Sequence, residues 1–213
     1  MAEGLTIQAV EIRKGDQPLI ALDRNVPPGT VLTVMGPSGV GKSTLLSYLI
    51  GTLDPAFTAR GRVILNGRDV TGLPTARRGM GILFQDDLLF PHLSVGGNLA
   101  FGLAGGDRAA RRDRIAAALD EVGLAGFENR DPATLSGGQR ARVSLMRMLL
   151  ADPHALLLDE AFSRLDAARR ESTRAMVFDT ARARSLPVVM VTHDADDAAA
   201  AGGPVIRLGD TPR

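Results

Sequence analysis

Cysteine and tryptophan are both absent from the 213 residues, and tyrosine occurs once. Without cysteine there are no disulfides, no thiolate metal sites and no cysteine nucleophile, and a reducing compartment suits such a chain. No apolar run approaches the ~18 residues needed to span a bilayer, so any membrane-spanning work is expected to fall to another chain. Met1, Ala2, Glu3 and Gly4 open on an acidic residue with no apolar stretch behind them, and no secretion signal is read there. An excess of one charge is also missing. Lys and Arg total 25 against 24 Asp and Glu, so nothing in the bulk electrostatics points to nucleic acid. The arginine-rich stretch 108–114 is flanked and interrupted by Asp107 and Asp113, and it reads as a solvated helix face. No repeat, low-complexity tract or long linker divides the chain.

What is present is an ordinary globular balance, 45% hydrophobic and 23% charged, long enough to bury one full core. Residues 5–12 alternate as a strand, and Gly15–Asp16 turns them into 18–22, an antiparallel hairpin. Pro27–Pro28–Gly29 marks a turn, and 31–35 is a short apolar strand entering a glycine-rich loop. Leu45, Leu46, Leu49 and Ile50 then recur at helical spacing. Residues 62–65 with Asn66–Gly67 suggest another hairpin, and 81–84 a further strand. From about 86 to 150 the pattern is mainly helical, with Ile115, Leu119 and Val122 in one stripe. Strand-like 155–158, helical 166–184, and strand-like 188–192 and 205–208 then alternate as in βαβ units.

Gly36–Pro37–Ser38–Gly39–Val40–Gly41–Lys42–Ser43 fits G-x-x-x-x-G-K-[ST] between an apolar strand and a helix, with Thr44 continuing into that helix. The glycines let backbone N–H groups turn inward around phosphate oxygens, and the helix adds its positive N-terminal end. Lys42 is expected at the β- and γ-phosphates and the Ser43 hydroxyl on Mg²⁺. The motif indicates a nucleoside triphosphate without saying for what. The expected fold is α/β: a P-loop NTPase core with a mainly parallel sheet, an N-terminal antiparallel β layer and an inserted helical subdomain. One domain is expected over 1–213, with the helical insertion at approximately 86–150.

Leu135–Ser136–Gly137–Gly138–Gln139 narrows the choice. A serine and two glycines opening a helix make a good anion site, although by themselves they are more often an ordinary N-cap, and only the company of the P-loop reverses that preference. Leu156–Leu157–Leu158–Asp159–Glu160 reads as a buried strand ending in two carboxylates. Asp159 is expected on Mg²⁺, and Glu160 as the base or orienter of an attacking water. An acidic turn before a helix is the plainer alternative. Taken together in this order, these motifs make the chain resemble an ABC (ATP-binding cassette) ATPase over nearly its whole length.

The resemblance implies that Ser136 and the Gly137–Gly138 amides, with Gln139, face the γ-phosphate held by another protomer. It implies that Gln85 senses Mg²⁺ and the γ-phosphate, that Ser163–Arg164–Leu165–Asp166 crosses a dimer interface, and that His193 is the switch histidine. His92 and His154 match nothing. Ala161 stands where the family usually has proline, and Arg164 where alanine is commoner. Arg13–Lys14 occupy the place of the adenine-stacking aromatic. A guanidinium can stack on a base, so weak discrimination between ATP and GTP is expected.

The resemblance is to short bacterial importer subunits of the polyamine, iron, sulfate and thiamine group. It implies a homodimer, or pairing with a similar ATPase subunit, together with a membrane permease and a periplasmic solute-binding protein. It implies a location on the cytoplasmic face of the inner membrane, held through the permease. Leu88, Leu89, Phe90 and Leu93 lie where importer ATPases receive a cytoplasmic helix of the permease. The chain stops soon after its last strand, with no room expected for a C-terminal regulatory domain. A soluble ABC ATPase, as in iron–sulfur cluster assembly, is the other reading; a small-molecule kinase has no use for residues 135–139.

Overall fold

A computed structural model describes residues 3–209, so the reading made on Met1 and Ala2 lies outside the described residues. The chain forms two compact units. Among the described residues, the first takes in 3–82, His154–Glu160 and 178–209.

In this first unit, β1 (Leu5–Lys14) and β2 (Gln17–Val26) form the expected antiparallel hairpin around Gly15–Asp16. Leu5, Ile7, Val10 and Ile12 face the core, and the skipped beat between Ile7 and Val10 is a β-bulge at Ala9, whose φ is +45°. β4 (Phe57–Leu65) pairs antiparallel with β1, and β5 (Arg68–Asp69) folds back on β4 across Asn66–Gly67. Both turn residues have positive φ, the conformation a two-residue hairpin asks for. The sheet order is β2-β1-β4-β5.

The second sheet has the order β6-β7-β8-β3-β9. Its strands are β3 (Val31–Met35), β6 (Met80–Leu83), β7 (Ala155–Asp159), β8 (Val188–Thr192) and β9 (Val205–Arg207). The β7/β8, β8/β3 and β3/β9 pairings are parallel. All residues of β3 and β8 are buried, which is why they read as unbroken apolar runs. The strand expected at 81–84 runs one residue earlier and leaves Phe84 outside and exposed. Helix α1 (Lys42–Ile50) contributes Leu45, Leu46, Leu49 and Ile50 to one apolar cluster shared with both sheets. The parallel order brings the C-terminal ends of β3, β7 and β8 to one edge, where Gly36, Glu160 and His193 follow.

The second unit is Leu83–Pro153 with Ala161–Val177. It holds α2 (Val95–Gly102), α3 (Arg108–Glu121), α4 (Gly137–Leu149) and the first part of α5 (Ala167–Ala183), whereas α6 (Ala195–Ala201) belongs to the first unit. Ser94, Asp107 and Ser136 cap α2, α3 and α4 by accepting from first-turn N–H groups. Residues 86–94, expected to be mainly helical, form a loop instead. Pro91 disfavours helical geometry at Phe90, and Leu88 is left-handed with φ +46°. The arginine-rich face of α3 is exposed as expected except at Arg111. That side chain donates to the carbonyls of Ala100, Leu103 and Gly105 and so closes the end of α2. Among the described residues no helix is long and apolar enough to cross a membrane.

Candidate functional site

In the first unit the site is built on the loop between β3 and α1. Gly39 and Gly41 have φ of +83° and +107°, which side chains rarely adopt, and they let the backbone curl. No side chain caps α1 at Gly41, so the helix offers its first-turn N–H groups outward. Lys42 is 4% exposed, and its Nζ donates to the carbonyls of Gly36 (2.8 Å) and Pro37 (3.1 Å). Ser43, the next residue on α1, donates from Oγ to Asp159 Oδ1 at 2.9 Å. Thr44 follows on the same turn.

Asp159 and Glu160 arrive at the end of β7. Burial pushes the Asp159 carboxyl above its ordinary range; the Ser43 hydrogen bond opposes this, neighbouring Glu160 adds to it and Lys42 works against it. Glu160 has φ +48°, an uncommon conformation for a residue with a side chain, and its N–H donates to Val191 O on β8. This bend turns the carboxylate between Lys42 and His193. Oε1 is 3.7 Å from Lys42 Nζ, and Oε2 is 3.3 Å from His193 Nδ1. A strained backbone held by its surroundings is typical of functional positions.

The Ser43 and Asp159 oxygens are hard donors suited to Mg²⁺. Among the described residues no group of three or more His, Cys, Asp or Glu is placed to hold a metal ion. A divalent cation at this pair fits only with phosphate and water oxygens completing its shell, which is how Mg²⁺ binds beside nucleotides.

In the second unit, Ser136 and Gln139 form a capping box on α4. Ser136 Oγ accepts from Gln139 N at 3.3 Å, and Gln139 Oε1 accepts from Ser136 N at 2.9 Å. The N-cap reading and the anion-site reading therefore describe one rigid turn. A Cβ on Gly137 would meet nothing closer than Arg169 at 3.7 Å and Arg140 at 3.8 Å, so the turn's face is open and flanked by guanidinium groups. Gln85 is exposed and, with Asp86, Asp87, Gly137, Arg140 and Arg164, lines a cavity of about 600 Å³. Arg164 is ion-paired with Asp86. Asp166 caps α5 through Arg169 N and pairs with the Arg169 side chain at 3.1 Å.

Residues 19–163 match the family described as ABC transporter. The chain belongs to the ABC transporter family. Within it, this is an ATP-binding subunit and an ATPase. It is 50% identical over 195 residues to the uncharacterised ABC transporter ATP-binding protein YnjD of Escherichia coli, covering 91% of this chain and 90% of that one. It is 42% identical over 208 residues to the thiamine import ATP-binding protein ThiQ of Jannaschia sp., covering 97% and 89%. With the Fe(3+) ions import ATP-binding protein FbpC of Agrobacterium fabrum it shares 42% identity over 187 residues, 87% of this chain and 52% of that one. The chain thus spans about half the length of its iron-import relatives. The solved structure of cbiO1 from Clostridium perfringens, titled as part of the ABC transporter complex cbiONQ, superposes with a TM-score of 0.82. It is 24% identical and covers 98% of this chain and 85% of that one, which supports the fold.

At the edge where the family's base-stacking aromatic is absent, this ABC ATPase has Arg13 donating to Asp16 O, and Lys14 Nζ 5.9 Å from the Phe57 ring centroid. Phe57 reaches this edge because β4 pairs with β1, a neighbour no local motif reveals. The nearer aromatic, Tyr48, is buried and donates to Gly61 O. Sequence reading also passed over Asp87, Asn98, Arg140 and Arg147. The signal available was the seven-residue spacing of Arg140 and Arg147, which puts both on one side of α4.

Proposed function

We propose that this ABC ATPase powers a bacterial importer as one half of a head-to-tail dimer. ATP is held between the Lys42 loop of one copy and the Ser136–Gly137–Gly138 turn of its mate. The observation that carries the reading is the Glu160 carboxylate poised between Lys42 and His193, beside the Ser43–Asp159 pair.

The chemistry follows from these positions. On binding, Lys42 exchanges its contacts to Gly36 and Pro37 for β- and γ-phosphate oxygens, while the N–H groups of 39–44 cradle the phosphates. Ser43 and Asp159 would hold Mg²⁺, which would supply charge neutralisation on those oxygens, and the family resemblance assigns Gln85 to sensing the same ion. Glu160 accepts a proton from the water as its oxygen bonds to the γ-phosphorus and the bridging P–O bond to ADP breaks. His193 keeps Glu160 oriented and contacts the γ-phosphate. The mate's Ser136, Gly137, Gly138 and Gln139 supply donors to that same phosphate, and Asp166 lies at the shared interface. Loss of the γ-phosphate removes the bridge, and the dimer opens.

The partners are a second copy or a similar ATPase subunit, a permease, and a periplasmic solute-binding protein. The subunit lies on the cytoplasmic face of the inner membrane, held there by the permease. Supporting this, relatives are named for thiamine and iron import, and the loop after Gln85 exposes apolar surface. Leu88 is 56% exposed, and beside the loop Phe101 of α2 is 70% exposed, with Phe90 and Phe101 ring centroids 4.8 Å apart.

The test is Glu160→Gln. It is expected to bind ATP, to lose about 10²–10⁴-fold in hydrolysis, and to accumulate as dimer in analytical ultracentrifugation with ATP. Hydrolysis at the parental rate, or a strictly monomeric ATP-loaded variant even with the permease present, overturns the proposal.

A further inference from the structure

The loop that follows Gln85 has a turn bond of its own, from Leu93 N to Phe90 O at 3.2 Å, and is otherwise gripped by side chains of the neighbouring helices. Asn98, fully buried on α2, accepts from Phe90 N at 2.7 Å and donates to the carbonyls of Phe90, Leu93 and Ser94. Arg147, on the last turn of α4, donates to Leu88 O (2.9 Å) and Asp87 O (3.2 Å) and reaches Asn98 Oδ1 at 3.4 Å. Its guanidinium also lies 5.3 Å from the Phe90 ring centroid. Two turns earlier on α4, Arg140 Nε is 3.5 Å from Asp87 Oδ2 and its Nη1 donates to Leu135 O.

Leu88 has a positive φ of 46° with its side chain in solvent. A branched side chain leaves that conformation unless its surroundings hold it there. The carbonyl held by Arg147 is that of Leu88 itself. The clamp therefore fixes both the loop's strained shape and its attachment to α4. That helix begins at the Ser136–Gln139 turn and is tied to the loop at both its first and last turns.

We infer that Arg147 is a positioning residue that joins the loop 86–93 to the signature helix, so that a displacement of Leu88 by the permease is delivered to Ser136–Gln139. The inference rests on the reading of this loop as the permease-docking surface, and it assigns α4 as the rigid link between docking and the phosphate-facing turn. A lysine at 147 reaches one carbonyl but cannot span two and stack on Phe90, because it lacks the planar fork.

Two measurements test it. The chain has no cysteine, so spin labels at Leu88→Cys and Ala141→Cys report the loop-to-helix separation in the full chain. A single narrow distance is expected with Arg147, a broad distribution in Arg147→Gln and an intermediate one in Arg147→Lys. In the assembled transporter, Arg147→Gln is expected to cut permease-stimulated ATP hydrolysis about tenfold, with Arg147→Lys recovering part. The isolated subunit's rate should stay within about twofold. An unchanged distance distribution, full stimulation, or an equal loss in the isolated subunit overturns the inference; the last would make Arg147 merely structural. The docking reading fails separately if Leu88→Asp still co-purifies with the permease and is fully stimulated. In that event the label distances alone decide whether Arg147 makes the tie.

Discussion

Asp159 shows how function and stability pull apart at one residue. Its carboxyl is raised chiefly by burial, which the Ser43 hydrogen bond and Lys42 only partly offset, while the neighbouring Glu160 charge adds to the rise. A carboxyl raised in the folded state holds its proton more tightly there than in the unfolded chain. The penalty is therefore absent below the ordinary carboxylate value and fully present above the raised one. Asp159→Asn keeps an oxygen for the Ser43 hydroxyl and removes the desolvated charge. The nucleotide-free variant is expected to melt about 2 °C higher at neutral pH, with the gain vanishing below about pH 4, and to lose the stabilisation given by Mg²⁺-ATP. Thermal melts at both pH values, with and without Mg²⁺-ATP, check this; a lower melting point in the nucleotide-free variant counts against it. The identity of the carboxylate pair was legible in the sequence because two acids closing an apolar run have few other uses after a P-loop. The turned backbone of Glu160 and its double contact with Lys42 and His193 were not, since they join three distant segments and depend on strand order.

At the scale of the element, α1 is the helix that carries Lys42, and its far end is closed by the N–H groups of Gly51 and Thr52 together with a buried cation. Arg78 donates to Tyr48 O (2.7 Å), Leu49 O (2.8 Å) and Leu73 O (2.9 Å), and also to Thr71 O. The charge sits where last-turn carbonyls lack partners and the helix dipole is negative. Gly51 is needed there, because a Cβ would come within 2.5 Å of the Arg78 guanidinium. Arg78→Met removes the guanidinium from the carbonyls of Leu49, Leu73 and Thr71 and leaves Tyr48 O only its 3.3 Å bond from Gly51 N, at a cost of about 3 kcal/mol, or a melting point lower by about 6–12 °C. Arg78→Lys is expected to recover part, and a shift under 2 °C for the Met variant would refute the capping role. The helix itself was readable from Leu45, Leu46, Leu49 and Ile50, whereas its cap comes from a separate loop. Residues 86–94 mislead in the opposite sense. Leu88, Leu89, Phe90 and Leu93 fall in the stretch expected to be mainly helical, but Pro91 and the grip of Asn98 and Arg147 make them a loop.

At the scale of the whole molecule, the residues of the proposed chemistry are divided between two compact units of one chain. Lys42, Ser43, Asp159, Glu160 and His193 lie on the first, and Gln85 and Ser136–Gln139 on the second. The order of motifs along the sequence was enough to recover the α/β plan, because strands buried on both faces read as continuous apolar runs and the glycine loop fixes where a helix must begin. It says nothing of whether one chain completes its own site or borrows from a mate, since both arrangements use the same residues. Mixing two inactive variants separates them. Lys42→Ala removes the cation proposed to hold the phosphates but leaves α4 intact. Gly137→Asp places a carboxylate on the open face of the signature turn, where a Cβ meets only ordinary contacts, so folding is preserved while the anion is repelled. Neither variant alone is expected to hydrolyse ATP. Random pairing makes half of the dimers mixed, and a head-to-tail mixed dimer has one site bearing both defects and one bearing none, so about a quarter of all sites are restored. Recovery near that fraction of parental ATPase, rising and falling with the ratio of the two variants, is the signature of shared sites. If the lysine loop and the signature turn served the same nucleotide within one chain, every site would carry one defect and mixing would restore nothing.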